Sequence, residues 1–273
     1  MTVIAHVSDL HFGTEDPAAA ASLLADLDGT NGPIPDLVAV SGDLTQRAKP
    51  HQFRAARAFL DQLPKPQIVV PGNHDVPLYN LFQRFLQPLT KYRRFISHDL
   101  EPFYADAEIA VAGINTARSL TFKDGRINDE QMERLHQRLA PLADHITKIV
   151  VTHHPFDLPE GFDEDHLVGR AREAMGVFLK AGADVLLAGH LHTSHIANTA
   201  TRYPVDGRAA LVVQAGTATS TRGRGETNSF NRIRSHGDRL HVDRWAWDPG
   251  SGRFSEAASD AFDWTDAGWQ AAT

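Results

Sequence analysis

Short runs of consecutive apolar residues punctuate this chain, and between most of them apolar residues return at every third or fourth place. The runs within residues 2–9, 36–43, 67–70, 108–114, 148–152 and 184–188 have the length and β-prone character of strands buried on both faces. Residues 17–27 read as a helix with Leu23, Leu24 and Leu27 on one face, and Pro17 suits its first turn. Residues 51–63 place Phe53, Ala56, Phe59, Leu60 and Leu63 at helical spacing. Residues 80–96 carry Leu81, Phe82, Phe85, Leu86, Leu89 and Phe95 and predict a helix interrupted near Pro88. Further helices are expected over 129–142, capped by Asn128 or Asp129, and over 170–180. Strand and helix alternate, which predicts a mostly parallel sheet with helical crossovers and a ligand crevice outside the carboxyl ends of its strands.

After His195 the texture changes. Residues 209–215 and 239–247 are strand-like, with no intervening helix long enough for a crossover, so this part is expected to be antiparallel and to add a second sheet to the first. The tail, 251–273, carries Phe254, Phe262, Trp264 and Trp269 and reads either as a cover over the core or as a homodimer contact. There is no internal repeat or low-complexity linker. One domain over 1–273 is expected, with 196–273 as a mainly antiparallel elaboration.

A length of 273 residues, 42% hydrophobic, supports a substantial core. The absence of cysteine excludes disulfides and thiolate chemistry, so any metal must be held by nitrogen and oxygen. No stretch approaches the ~20 apolar residues of a membrane span, and the start lacks a basic region followed by a long apolar core; a cytoplasmic location is expected. The net charge of -7 argues against stable nucleic-acid binding. An anionic substrate would need local positive charge, which metal ions would supply. Lys91, Arg93 and Arg94 form a small basic cluster that reads as a solvated helix face or as a phosphate contact.

The polar residues gather where the strands end: Asp9 and His11, Asp43, Asn73 and His74, His153 and His154, and finally His190 and His192. Any one of these is more often a cap or a turn residue. In succession, they offer enough carboxylate, amide and imidazole donors for two divalent ions such as manganese, iron or zinc.

The series Asp-x-His, Gly-Asp, Gly-Asn-His-Asp, His-His-Pro and Gly-His-x-His, spread from Val3 to His192, resembles the calcineurin-like metallophosphoesterase superfamily. The resemblance implies that superfamily's fold, an α/β four-layer α-β-β-α sandwich of two mixed sheets flanked by helices. It implies that Asp9, His11 and His192 hold one metal, that Asn73, His153 and His190 hold the other, and that Asp43 bridges them. His74 would face the substrate phosphate, oriented by Asp75, and His154 would stand behind the metals or face substrate. Two such ions would share an activated water that attacks phosphorus.

Within the superfamily the motifs look most like the bacterial branch of class III cyclic nucleotide phosphodiesterases and glycerophosphodiesterases, implying hydrolysis of a small phosphodiester such as cyclic AMP. Phe12, Tyr79 and Phe156 lie near the motifs and are candidates for an apolar wall around a base. Residues 80–96 and 221–226 are candidates to close over substrate. A pyrophosphatase cutting a nucleotide-sugar lipid of the UDP-diacylglucosamine type at a membrane face is the alternative, with residues 78–95 as its apolar wall. A non-catalytic scaffold is disfavoured, because such relatives lose ligands and here each expected one is present.

Overall fold

The computed structural model describes every residue except 79–80, 119–124, 205–207, 222–224, 266–267 and 273. Strands β1 (Thr2–Val7), β2 (Leu37–Ser41) and β3 (Gln67–Val70) run parallel, joined by helices α1 (Pro17–Leu27) and α2 (Pro50–Leu60). Asp16 starts α1 by accepting hydrogen bonds from the Ala18 and Ala19 amides. Helix α2 stops short of the predicted end, ahead of Pro64, although Leu63 is still buried. The interrupted helix exists as α3 (Leu81–Leu86) and α4 (Thr90–Phe95), parted around Pro88. Strand β4 (Phe103–Ala105) is a short edge piece with no clear sequence signal.

A second parallel set follows: β5 (Ile109–Gly113), β6 (Thr147–Val151) and β7 (Val185–Ala188), with crossovers α5 (Asp129–Leu139) and α6 (Ala171–Lys180). Asn128 caps α5 by accepting from the Gln131 amide at 2.9 Å, and the Gln131 side chain accepts in return from the Asn128 amide. These strands do not continue the first sheet. They form a six-stranded sheet ordered β4-β5-β6-β7-β9-β8, with β8 (His195–Asn198) and β9 (Leu211–Gln214), and it packs face to face against the first. The single sheet expected from alternation is therefore two, as the superfamily resemblance implies.

The C-terminal strands also differ from expectation. β9 runs parallel to β7, and only β8 pairs with it antiparallel. Strands β10 (Ser229–His236), β11 (Arg239–Asp248), β12 (Arg253–Thr265) and β13 (Gly268–Ala271) extend the first sheet, giving the seven-stranded order β13-β12-β11-β10-β1-β2-β3. Among the described residues, the C-terminal strands join the two sheets built by the parallel strands and add no sheet of their own. The tail aromatics are used within the chain: Phe254 joins the core under α1, while Phe262 and Trp269 join the core between the sheets.

Three apolar layers result. Val7, Val38 and Val40 point outward to Leu23, Leu27, Phe53 and Phe59 of the first helix pair. Ile4, Leu37, Ala39 and Val70 point inward to Val111, Ile149, Val151 and Leu187 of the facing sheet. The second sheet's outer face meets Met132, Leu135 and Phe178 of α5 and α6. The layering is α-β-β-α, and apolar material on both faces of each sheet accounts for strands that read as continuous apolar runs. Among the described residues, no helix is long and apolar enough to cross a membrane. Phe178 is fully buried against Phe156, with ring centroids 5.4 Å apart. Phe178→Ala should cost about 3–5 kcal/mol, read as a lower urea midpoint, because α6 cannot collapse into the space left.

Candidate metal centre

Each parallel strand delivers its last residues to one edge of the sandwich, and the two sheets meet there. The Asp9 amide donates to Gly42 and the His11 amide to Asp43, so the β1 and β2 loops run side by side past the ends of their strands. The Gly189 amide donates to His153, joining the β6 and β7 loops in the same way. The sheets are tied across the crevice by His153 Nδ1, 2.8 Å from the carbonyl of Ser41, and by the His190 amide, 3.1 Å from Asp9 Oδ2.

Two donor clusters follow. Asp9 Oδ1, His11 Nε2 and His192 Nε2 lie about one contact apart: Oδ1 is 3.4 Å from each imidazole nitrogen, and those nitrogens are 3.4 Å from each other. The amide oxygen of Asn73 is 3.0 Å from His153 Nε2 and 3.1 Å from His190 Nδ1. Asp43 stands between them, with Oδ2 3.8 Å from His11 and Oδ1 3.4 Å from His153. His190 and His192, two residues apart, thus turn to different clusters.

The cluster atoms are poorly satisfied without a cation. Asp9 Oδ2 accepts from Ser8 and from the His190 amide, but Oδ1 is buried with no hydrogen-bond partner. In the metal-free protein, burial alone would raise the Asp9 carboxyl; His192, His11 and His153 outweigh it and hold the group below the usual range. Asp43 behaves alike, burial being overcome by His153, His74 and His11. Burial and the neighbouring His153 push His190 down to about 3, so it presents a lone pair. His153 is driven down by burial, but the charge of Asp43 lifts it further, to about 9. Nitrogen and oxygen donors and a buried orphan carboxylate oxygen fit divalent ions: Asp9, His11 and His192 form one group, and His153, His154 and His190 another, with the amide oxygen of Asn73 beside His153 and His190.

The structure brings the expected site residues together and revises some roles. Asp75 does not touch the His74 ring. Its buried carboxylate accepts from the amides of Gly72, Leu44 and Thr45 and from the Thr45 hydroxyl, which clamps the β2 and β3 loops together. Burial, then the charge of Asp43, raise that carboxyl. His74 is oriented instead by the carbonyl of Gln46, 2.9 Å from its Nδ1. His154 is buried, with Nδ1 2.7 Å from the Thr116 hydroxyl and its ring 4.7 Å from that of His190. Phe12 and Phe156 are not a substrate wall: Phe12 packs on Phe59 and Phe156 on Phe178, each in a helix-sheet core. Tyr79 and residues 222–224 lie outside the described residues. Of the basic cluster, Lys91 donates to the Ala48 carbonyl and Arg94 lies over the Phe95 ring.

Thr217, whose hydroxyl is 2.8 Å from His192 Nδ1, was not legible beforehand. Neither was Gln46, which acts through its backbone; only a placed fold reveals such contacts. Gly72 also has a role beyond its turn: a Cβ there would overlap both Oδ1 and the backbone nitrogen of Asp43.

The family described as calcineurin-like phosphoesterase matches residues 2–194. A glycerophosphodiester phosphodiesterase of Enterobacter lignolyticus is 28% identical over 166 residues, covering 57% of this chain and 58% of that protein. A cAMP/cGMP dual specificity phosphodiesterase of Mycobacterium tuberculosis is 29% identical over 267 residues, covering 86% of this chain and 76% of its own. The 3',5'-cyclic adenosine monophosphate phosphodiesterase of Escherichia coli K12 is 26% identical over 160 residues, covering 58% and 54%. The chain spans somewhat over half the length of the first curated relatives it matches. A dimetal phosphatase from Danio rerio shares the fold, with a TM-score of 0.66 at 12% identity, covering 97% of this chain and 99% of that one.

Because Asp43 faces both clusters, Asp43→Ala should remove bound metal from both, read by elemental analysis after manganese loading and gel filtration. Two retained ions would show that Asp43 does not bridge. Gly72→Ala should lower metal content and thermal stability together, since the added methyl group must displace Asp43.

Proposed function

Because the chain belongs to the calcineurin-like phosphoesterase family, we propose that it hydrolyses a small phosphodiester, such as a cyclic nucleotide or a glycerophosphodiester, at the crevice between its sheets. The observation that carries the proposal is the pair of donor clusters sharing Asp43. Asp9, His11 and His192 would hold one divalent ion, Asn73, His153 and His190 the second, and Asp43 both; manganese or iron suits this set, and zinc can also occupy it. When bound, the ions supply Lewis acidity and an activated water in place of a protein nucleophile.

The remaining chemistry falls to the chain. With Nδ1–H of His74 given to the Gln46 carbonyl, Nε2 is the atom left for substrate. Burial lowers the His74 pKa in the free protein, and the arrival of an anionic phosphate favours the protonated ring. Nε2–H can then donate to a phosphate oxygen as charge builds on it, or to the departing alkoxide. His154, buried and fixed by Thr116 against His190, would stand behind that ligand rather than face substrate.

A second reading, cleavage of a nucleotide-sugar lipid, draws on Phe85 and Leu86 of α3, 46% and 65% exposed, as contacts for acyl chains. Manganese-loaded protein should hydrolyse bis-p-nitrophenyl phosphate faster than p-nitrophenyl phosphate. A panel of cyclic nucleotides, glycerophosphodiesters and nucleotide-sugar lipids then separates the readings. Two bound ions without diester hydrolysis would leave a binding scaffold instead. His74→Ala should keep its metal and lose about 10²–10⁴-fold in kcat; loss of metal in that variant would place His74 among the ligands.

A further inference from the structure

After β9 the chain returns to the metal edge and crosses from one ligand loop to the other. Thr217, Thr219 and Ser220 of this crossing are all buried. Toward the β1 loop, the Ala218 amide donates to the Ser8 carbonyl at 3.0 Å and the Thr219 hydroxyl to the Leu10 carbonyl at 2.8 Å, on either side of Asp9. Toward the β7 loop, the Thr217 hydroxyl meets His192 Nδ1 at 2.8 Å. The Ser229 amide donates to the Thr217 carbonyl at 2.8 Å, which fastens this strap to β10. Glu226 adds a second hold on the β7 loop. Its Oε2 accepts from the Ser194 amide at 3.0 Å and from Arg244 at 3.3 Å, and Ser194 stands two residues past His192.

An imidazole that ligates through one nitrogen carries its proton on the other, and the partner of that proton fixes both the tautomer and the angle of the ring. His192 Nε2 faces Asp9 and His11, so Nδ1 is the protonated atom and Thr217 Oγ1 accepts from it. The companion imidazole has no such support: His11 Nδ1 is buried without a hydrogen-bond partner among the described residues. In the second group, His153 Nδ1 turns to the carbonyl of Ser41, a backbone atom that no side-chain substitution removes. The orienting bond to His192 comes from a side chain and can be deleted.

On the two-ion reading, on which this inference rests, we propose that Thr217 and Glu226, which lie past the residues matched by the family, are positioning residues for the ion held by Asp9, His11 and His192. Thr217 acts by accepting from His192 Nδ1–H, and Glu226 by anchoring the same loop at Ser194. Because Thr217 bonds to His192 itself, its removal weakens that ion and spares the other.

The test is a manganese titration of metal-free protein, read by the EPR signal of free manganese and fitted to two sites. Thr217→Val keeps the side-chain volume but cannot accept the bond; it should weaken one ion by about 10–100-fold and leave the other within about threefold. Thr217→Ser restores the hydroxyl and should recover most of the loss. In an Asn73→Ala background, which lacks a donor of the second group, the Thr217→Val loss should fall on the tighter ion; in a His11→Ala background the tighter ion should be unchanged. Glu226→Ala should weaken the same ion by a smaller factor, and Glu226→Gln, whose amide oxygen still accepts from Ser194, should recover most of that loss. Wild-type affinity for both ions in Thr217→Val, or both weakened equally together with a lower thermal midpoint of the metal-free protein, overturns the positioning role and leaves the two-ion reading standing. If metal-free Thr217→Val does not fold, Glu226→Ala decides by the same criterion. Fewer than two ions bound by the wild type overturns both.

Discussion

At the mouth of this sandwich, buried carboxylates and imidazoles are packed against one another. Asp9 Oδ1, His11 Nε2 and His192 Nε2 crowd within 3.4 Å of one another, and the carboxylate oxygen has no partner and no access to water. A buried acceptor left unmatched costs about 1–3 kcal/mol. Sequences do not collect such groups for stability. A cation would complete the arrangement, and several other features of the edge hold these atoms in place.

The two sheets divide that task. The first contributes the carboxylates and Asn73 from β1, β2 and β3; the second contributes imidazoles from β6 and β7. The groups of Asp9, His11 and His192 and of Asp9, Asp43 and His153 draw on both sheets, and Asn73 of the first sheet lies 3.0 Å from His153 of the second. The apolar layer between the sheets, built from residues such as Ile4, Val111, Ile149 and Leu187, therefore has a functional consequence. It fixes the relative position of the sheets to the tolerance that ligand geometry demands, as close packing does in protein interiors. Asp75 does the same locally, a buried carboxylate tying three loop amides so that Asp43 and Asn73 keep their spacing.

How much of this could be read from the residues follows from what each feature depends on. Strand ends were legible because apolar runs stop abruptly at Asp9, Asp43 and His153, and the helices because apolar faces recur at helical spacing. The split into two sheets was not legible from alternation, since a parallel strand buried on both faces has the same composition in either arrangement. The C-terminal strands were blurred for the opposite reason: β12 is mostly exposed, so its sequence lacks a continuous apolar signal. At the site, ligand types announced themselves. Their orienting partners did not, because the carbonyls of Ser41 and Gln46 could belong to any residue, and Thr217 is one threonine among many until the fold sets it beside His192.

Backbone conformation links these observations. Asp9, His11, Asp43, His190 and His192 all adopt left-handed φ angles, between 48° and 75°. For an L-residue this costs on the order of 1–2 kcal/mol each, and aspartate, asparagine and histidine tolerate it better than most. The residues with the donor atoms are thus also among those able to turn the chain sharply enough at a strand's end to aim them back into the crevice. A substitution that kept a donor but resisted the turn would lose the site as surely as one that removed the donor. The short motifs therefore satisfy two demands at once, coordination chemistry and a reversed backbone, which explains why so compact a pattern of Asp, His and Gly could be read from the chain before its fold was known.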